Sequence, residues 1–230
     1  MPSWQHVNDG IIELKLEIMS NWKIDFANSI VDDIDERLLL LILYGSRKDD
    51  SDNDYLAIFD GLISSKNISI GKLDFWAIST ETFFSHLRLM DPFVTEPVLT
   101  GEVIYNNPEL KMKADLILES VSPTTNTIRY LISRSFRAYI DAYKIVTETI
   151  EGDYKLNRRY WSTLSYSIGY WCFAYQYQHN HRRVAKLLEI IDAMPSQIKE
   201  LWMKTISAKK ARLASSLDLL SEWAEILLKP

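Results

Sequence analysis

The chain has 230 residues, of which 47% are hydrophobic and 25% charged, a composition that excludes a disordered or fibrous protein. Its net charge of −5 is unevenly spread, because residues 1–122 carry 10 Lys and Arg against 21 Asp and Glu, whereas residues 123–230 carry 16 against 10. No apolar stretch approaches the roughly 20 residues that cross a bilayer, and the N-terminus shows no signal-peptide pattern, so we expect a cytoplasmic protein.

The first half of the chain alternates between helix-like and strand-like segments. Apolar residues recur at mostly helical spacing over 10–33, which predicts an amphipathic helix or a broken pair of helices. Short apolar runs bounded by turn residues then predict four strands, at 38–44, 54–60, 67–79 and 101–107. The third of these has a possible bend at Gly71 and Lys72. Thr80 is the predicted cap of a short helix after the third strand. These segments predict a mixed α/β domain at residues 1–122.

From Pro123 onward the pattern is helical. Long amphipathic stretches separated by turn residues occupy 125–150, 154–178, 182–195 and 196–228. They predict a bundle of four or five helices that forms a second domain at residues 123–230. The predicted fold class is therefore α+β, with a mixed sheet and flanking helices followed by an all-α helical bundle.

Acidic residues cluster between the first two predicted strands. Gly45 and Ser46 end the first strand, where a glycine lets the backbone turn tightly and present N–H groups to an anion. Asp52 and Asp54 lie two residues apart at the head of the second strand, so strand alternation points both side chains to the same side. A bound divalent cation would relieve their repulsion. Asp74 is costly to bury unpaired among its apolar neighbours, which makes it a candidate third ligand.

This pattern of residues resembles the signature of the polymerase-beta-like nucleotidyltransferase superfamily, which is Gly-Ser followed by Asp-X-Asp. The matching residues are Gly45-Ser46, then Asp52-Asn53-Asp54, then Asp74 on a later strand. The resemblance covers about residues 10–107, where the order of elements looks like that of the minimal nucleotidyltransferases. The helical second half is similar in size and type to the C-terminal bundles of aminoglycoside nucleotidyltransferases. The resemblance implies a nucleotidyltransferase-type sheet in the first domain.

The resemblance also implies a function. It implies transfer of a nucleoside monophosphate, AMP from ATP, to a hydroxyl group of an acceptor, with two Mg²⁺ ions as cofactors. Gly45-Ser46 would bind the triphosphate, and Asp52 and Asp54 would hold Mg²⁺. Asp74 would complete the metal site or deprotonate the acceptor hydroxyl. A metal pair lowers the pKa of the attacking hydroxyl and neutralises the charge that develops on the phosphates.

Arg47 and Lys48 follow the Gly-Ser pair directly and are expected to add cationic contacts to phosphate.

No residue motif identifies the acceptor. The hydroxyl acceptor is a small molecule, an RNA end or a protein side chain, and no membrane partner is expected. Aminoglycosides are one acceptor class, although these polycations match poorly the excess of positive charge in residues 123–230.

Three other interpretations compete with this one. The acidic run 50–54 opens like a calcium-binding EF-hand loop, but Tyr55 and Gly61 stand where that loop requires Gly and Glu. The run is also typical of a solvated turn. Finally, the loop between Ser46 and Asp52 has only five residues, shorter than is usual in the family, which favours a binding module with little or no activity, such as an antitoxin-like partner of a toxin.

Further residues have a structural and a functional interpretation. Cys172 lies in an apolar setting that favours an inert core thiol. His179 and its neighbours favour a solvated helix end. Arg158 and Arg159 are typical of a surface, although one of them could reach the nucleotide phosphates. Aromatic residues recur through the second predicted helix of the bundle and favour core packing, with some rings left to line an acceptor pocket: Tyr160, Trp161, Tyr166, Tyr170, Trp171, Phe173, Tyr175 and Tyr177.

Overall fold

The computed structural model of the protein describes residues 37–45, 53–70, 73–148, 154–180, 187–211 and 213–228. Over these residues a five-stranded sheet is followed mostly by helices. The predicted α+β class, with a mixed sheet before a helical region, is confirmed. The predicted helix at 10–33 lies outside the described residues, and so do Ser46, Arg47, Lys48 and Asp52.

The sheet contains five strands, which are β1 (Arg37–Tyr44), β2 (Asn53–Asp60), β3 (Lys66–Ile70), β4 (Leu73–Ser79) and β5 (Glu102–Asn106). Their order across the sheet is β3-β4-β2-β1-β5. β2 and β4 run parallel, and the other neighbouring pairs are antiparallel. The single strand predicted at 67–79 is wrong in one respect, because Ile70 pairs with Leu73 and the segment forms two antiparallel strands.

Three helices follow the sheet strands in the first half: α1 (Thr80–Arg88), α2 (Pro92–Thr100) and α3 (Pro108–Ser120). The cap of α1 is Ser79 rather than the predicted Thr80, since the Ser79 side chain accepts a hydrogen bond of 3.1 Å from the Thr82 N–H. The sequence analysis did not predict α2 and α3. Each begins with proline at its first position after a capping residue, Asp91 or Asn107, which accepts a hydrogen bond from the first turn.

One face of the sheet packs against these helices. Leu56 and Ile58 of β2 contact a buried cluster that includes Phe83, Leu87 and Val94 of the helices. Their strand carries Asp54 two residues earlier on the same face, since side chains alternate along a strand. The apolar face therefore ends in polar side chains where β2 and β4 begin.

The helical region that follows contains five helices within the described residues, in agreement with the predicted bundle of four or five. They are α4 (Thr125–Glu148), α5 (Tyr154–Asn180), α6 (Leu187–Ile191), α7 (Ser196–Lys210) and α8 (Leu217–Leu227). The predicted boundary at 122 falls between α3 and α4. The division into two domains stays a prediction. Among the helices described, none is both long and apolar enough to cross a bilayer.

Buried hydrogen bonds join α4, α5 and α8. Ser135 Oγ donates to the Ser167 carbonyl at 2.7 Å, and Ser167 Oγ donates to the Ser135 carbonyl at 2.8 Å. The indole N–H of Trp223 donates to Ser167 Oγ at 2.7 Å. Both serines are fully buried. These bonds set the register of α4 against α5, the two helices that form one wall of the pocket described below.

Most of the aromatic side chains of α5 are core residues, as predicted. Tyr160, Trp161, Phe173 and Tyr177 are almost entirely buried. Cys172 is fully buried, and burial raises the pKa of its thiol well above the usual value. Its thiolate is the reactive form, so Cys172 is an inert core residue.

Candidate functional site

Three polar side chains form a row across the middle of the sheet. Tyr44 at the end of β1 pairs with Asp54 at the start of β2, and Asp54 pairs in parallel register with Asp74 at the start of β4. Residues that pair directly share a face of the sheet, and neighbouring strands lie about 5 Å apart. The carboxylates of Asp54 and Asp74 are therefore neighbours on the face that carries the helices. We refer to Asp54 and Asp74 as the acid pair.

Gly45 lies against the acid pair. It has a φ of +85°, and a Cβ placed on it would come within 2.7 Å of the Asp54 Oδ2. The left-handed backbone conformation favours glycine, and a side chain at this position would displace the end of the Asp54 side chain. The tight turn predicted after the first strand is present at Gly45, and it brings the backbone next to the Asp54 carboxylate.

A pocket of about 500 Å³ opens beside the acid pair. This volume is in the range of pockets that bind small molecules. Its sheet side is formed by Tyr44, the acid pair, Asn67 and Trp76. Helices α4 and α5 form the opposite side, and Phe93 of α2 also lines the pocket. The pocket therefore lies between the sheet and the first two helices of the bundle.

Two helical stripes form the wall opposite the sheet. Apart from the adjacent Arg137 and Ala138, the lining residues of both helices are three or four positions apart, which is the spacing of one face of a helix: Arg134, Arg137, Ala138, Asp141 and Ile145 on α4, and Arg159, Thr163, Tyr166 and Tyr170 on α5. Each stripe spans twelve residues, and its ends lie about 16 Å apart along the helix. The wall carries three arginines and one aspartate, so a ligand with negative charge is favoured there.

The negative charges of the acid pair affect two tyrosines of the pocket, Tyr44 and Tyr166. Burial, followed by the negative charges of Asp54 and Asp74 among others, raises the pKa of Tyr44. Burial of the phenol and the same two carboxylates raise the pKa of Tyr166, although 46% of this residue is exposed at the pocket mouth. Both tyrosines therefore stay protonated at neutral pH and are available as hydrogen-bond donors. Tyr166 marks the place where α5 faces the acid pair.

Lys209 lies within electrostatic range of Asp54, and Arg158 lies within range of Lys209 and Tyr166. Burial and the positive charge of Arg158 lower the pKa of Lys209, and the negative charge of Asp54 opposes this effect. Arg158 also acts on Tyr166 and lowers its pKa. Arginine and lysine side chains are common protein ligands of phosphate groups. Arg158 and Lys209 are therefore candidates for contact with phosphate groups near the acid pair.

A buried carboxylate stands at the other end of the pocket. Asp91 is fully buried and caps α2 by accepting a hydrogen bond of 3.0 Å from the Phe93 N–H. It also accepts a hydrogen bond from the Tyr130 hydroxyl, and the Tyr170 hydroxyl lies 3.4 Å from its Oδ1. His86 Nδ1 is 3.2 Å from Asp91 Oδ2, without the alignment of a hydrogen bond. Asp91 thus links the α1–α2 junction to α4 and α5.

The structure brings together two of the three predicted acids. Asp54 and Asp74 line one pocket, and Gly45 adjoins them. Asp52 lies outside the described residues. Among the residues that are described, no group of three or more His, Cys, Asp or Glu side chains is placed to hold a metal. Two adjacent carboxylates nevertheless fit Mg²⁺, which is commonly held by one or two carboxylates together with substrate phosphates and water.

Other predicted residues divide between the pocket and the surface. Arg159 lines the pocket, and His179 is exposed at the end of α5, where its Nδ1 lies 2.8 Å from the Tyr175 carbonyl. Tyr166 and Tyr170 are the rings of the aromatic series that line the pocket. The sequence analysis missed several residues of the pocket and its surroundings: Arg134, Arg137, Asp141, Lys209 and the buried Asp91.

One solved structure that is similar to this chain is a nucleotidyltransferase-like protein from Exiguobacterium sibiricum, at 11% sequence identity and a TM-score of 0.39. The match covers 93% of this chain and 74% of that chain. No protein-family model and no curated protein matches the chain. A likeness at this TM-score assigns no role to any residue of this chain. The proposed chemistry of the pocket therefore rests on the residues of this chain alone.

Proposed function

We propose that the protein is a Mg²⁺-dependent nucleotidyltransferase that moves AMP from ATP to a hydroxyl group of an acceptor. The observation that carries this proposal is the acid pair facing, across a pocket of about 500 Å³, a helical wall whose α5 stripe carries Arg159. Carboxylates alone would repel a triphosphate, and arginines alone would bind it without a place for a cation. Together they suit a nucleoside triphosphate with its magnesium ion.

The proposed reaction is an in-line displacement at phosphorus. The acceptor oxygen forms a bond to the α-phosphorus while the bond to the β-phosphate oxygen breaks, and pyrophosphate leaves. Magnesium, when bound, lowers the pKa of the hydroxyl and neutralises charge on the phosphates. Asp54 and Asp74 would hold it, and Asp74 is also the candidate to accept the hydroxyl proton. Arg158 and Lys209 would contact the triphosphate from the helical side.

The residues outside the described part of the chain have expected roles in the same reaction. Ser46 would bind the triphosphate together with Gly45, and Asp52 would be a further ligand of magnesium. Arg47 and Lys48 would add cationic contacts to phosphate. The alternative function is a nucleotide-binding module without efficient turnover, and the five-residue loop between Ser46 and Asp52 favours it.

The test is nucleotide binding and turnover by the full chain. ATP and CTP labelled at the α-phosphate are incubated with Mg²⁺ and a panel of hydroxyl acceptors, and both label transfer and pyrophosphate release are measured. We expect transfer from ATP that stops when EDTA removes the metal. Binding of MgATP without label transfer to any acceptor in the panel would support the binding module. Absence of nucleotide binding would contradict both functions.

Two glycines separate the role of the Gly45 contact from the cost of its backbone conformation. Gly61 has almost the same φ, +86°, but a Cβ on it would meet no atom within 4 Å. We expect Gly45→Ala and Gly61→Ala each to lower the free energy of unfolding by about 1–2 kcal/mol, because an L-residue is strained at this φ. Only Gly45→Ala displaces the Asp54 carboxylate, so only this variant should lose label transfer.

Urea denaturation of the two variants and the label-transfer assay check this expectation. The terminal carboxylate of Asp54 can turn away from a new methyl group, which keeps the two stability changes similar. Equal loss of transfer in both variants would show that activity follows stability and that the Asp54 contact has no separate role.

A further inference from the structure

We propose that Arg134 and Arg137 form a second anion-binding subsite in the pocket, which holds a carboxylate or phosphate group of the acceptor. The proposal rests on the proposed function for the identity of its ligand as an acceptor. The subsite itself is argued from the geometry of the helical wall. Both arginines lie on the pocket-facing stripe of α4, three residues apart, so their side chains are neighbours on one face of the helix.

Tyr170 holds the Arg134 side chain in place. The Nε and one terminal nitrogen of Arg134 donate to the Tyr170 hydroxyl at 3.3 Å and 3.1 Å, and the guanidinium carbon lies 5.2 Å from the centre of the Tyr170 ring. The Tyr170 hydroxyl in turn faces the buried carboxylate of Asp91. Tyr170 and Asp91 are positioning residues, because they fix a guanidinium that would otherwise be flexible.

The guanidinium of Arg134 has N–H groups that do not bind Tyr170. A guanidinium carries five N–H groups, and Tyr170 receives bonds from only two nitrogens of Arg134. Within the described residues, neither Arg134 nor Arg137 has a carboxylate at ion-pair distance. Arg134 is half-buried and lines the pocket. A planar fork fixed on one edge and open on the other is suited to a carboxylate or phosphate, both of which accept two parallel hydrogen bonds.

This subsite is separate from the acid pair. Besides burial, the charges of Asp54 and Asp74 raise the pKa of Tyr166. The pKa of Tyr170, one helical turn further along α5, is affected instead by burial, Asp91 and Arg134. The ring of Phe93 contacts both tyrosine rings, with its centre 4.8 Å from that of Tyr166 and 5.0 Å from that of Tyr170. Arg134 and Arg159 lie at opposite ends of the 16 Å wall, so one triphosphate does not account for both.

The chemistry of the subsite constrains the acceptor. An acceptor that carries several amino groups would meet two arginines at this end of the pocket and be repelled, whereas an acceptor with a carboxylate or phosphate would be attracted. The buried Asp91 carboxylate behind Tyr170 offsets part of this positive charge, and Asp141 is one turn beyond Arg137 on the same stripe, so this end presents two arginines against one buried carboxylate. The acceptor is therefore an anionic molecule with a hydroxyl group, and its anionic group sits on Arg134 and Arg137.

The experiment uses the full chain and two anion probes, inorganic phosphate and citrate, titrated by calorimetry into the wild type, Arg134→Gln and Arg137→Gln. We expect each variant to weaken binding of at least one probe by about tenfold or more, the effect of one lost charge-assisted hydrogen bond. The probe that binds the wild type more tightly distinguishes a phosphate from a carboxylate as the natural group. Tyr170→Phe should weaken the same probe, since it keeps the ring and removes the hydroxyl that fixes Arg134.

The matched control is Arg129→Gln, an exposed arginine of the same helix that does not line the pocket. It should bind both probes as the wild type does. MgATP affinity, measured in parallel, should be unchanged in Arg134→Gln and Arg137→Gln. Arg134→Lys should recover part of the affinity because it restores the charge without the fork.

Several outcomes would overturn the subsite: no binding of either probe to the wild type, unchanged affinity in Arg134→Gln and Arg137→Gln, or loss of MgATP binding in parallel with anion binding. The last result would place both arginines on the nucleotide. The two proposals also fail separately. Anion binding that depends on Arg134 in a protein that transfers no nucleotide would leave the subsite standing and overturn the proposed function alone.

Discussion

Replacement of Asp54 or of Asp74 by Asn is expected to lower nucleotide transfer at least about 100-fold, the loss typical when one preorganised electrostatic group of an active site is removed. Asn keeps the size of the side chain and removes the negative charge that would hold magnesium. The two residues pair directly across β2 and β4, so each should be needed. The measurement is label transfer from ATP at saturating Mg²⁺.

Asp60→Asn is the matched control for this prediction. Asp60 ends the same strand β2 and is exposed outside the pocket, so its replacement should leave transfer unchanged. Thermal unfolding of all three variants separates loss of chemistry from loss of fold. Transfer that persists in Asp54→Asn and Asp74→Asn, at wild-type rates, would contradict the assignment of the acid pair.

Replacement of Asp91 by Ala is expected to cause the largest loss of stability of any change outside the apolar core, about 3 kcal/mol or more. The side chain is fully buried, caps α2 through the Phe93 N–H and accepts from the Tyr130 hydroxyl. Its loss leaves both donors without an acceptor in a place that water does not reach. Unfolding in urea, monitored by tryptophan fluorescence, measures the change.

Two milder variants divide this effect into parts. Asn107 caps α3 as Asp91 caps α2, but it is only half-buried and accepts a single bond of 3.2 Å from the Leu110 N–H. Asn107→Ala should therefore lose about 1 kcal/mol. Tyr130→Phe removes one donor to Asp91 and keeps the ring. If Asp91→Ala were no worse than Asn107→Ala, the buried contacts to α4 and α5 would contribute nothing to stability.

The strands were predictable because their pattern is local. Residues 38–44 are a continuous apolar run between turn residues, which suits a strand covered on both faces, and β1 occupies Arg37–Tyr44. The helix α2 was missed because its signals conflict. Asp91 followed by Pro92 is a helix start, but Pro97 inside the helix argues against one. Burial of Val94 and Val98 against the sheet favours the helix here.

The site was predictable on the sheet side and not on the helical side. Asp54 was expected at the head of a strand, and Asp74 was expected among apolar residues within the strand predicted at 67–79, where a costly buried carboxylate suggested a further ligand. Only the parallel pairing of β2 with β4 makes the two residues neighbours. Arg134 and Asp141 belong to the polar stripe of an amphipathic helix. The sequence does not distinguish a polar stripe that faces water from one that faces a pocket, since packing between distant segments decides it.

The long-range contacts of Asp91 were not predictable from the sequence. In the sequence Asp91 is one of 31 acidic residues, and its position before Pro92 put its cap within reach of local rules. Its contacts with Tyr130 and Tyr170 join positions 39 and 79 residues apart. Such contacts depend on how the helices meet the sheet, which no local pattern records.

The reciprocal bonds between Ser135 and Ser167 constrain how the pocket can change size. Sliding α5 along α4 would strand these hydroxyls and the Trp223 indole in a dry core, at a cost of about 1–3 kcal/mol for each group. The two helices should thus move as one rigid unit. A bulky acceptor gains room only if the sheet moves away from these helices. The distance that the sheet can move, and no rearrangement of the arginines, sets the upper limit on acceptor size.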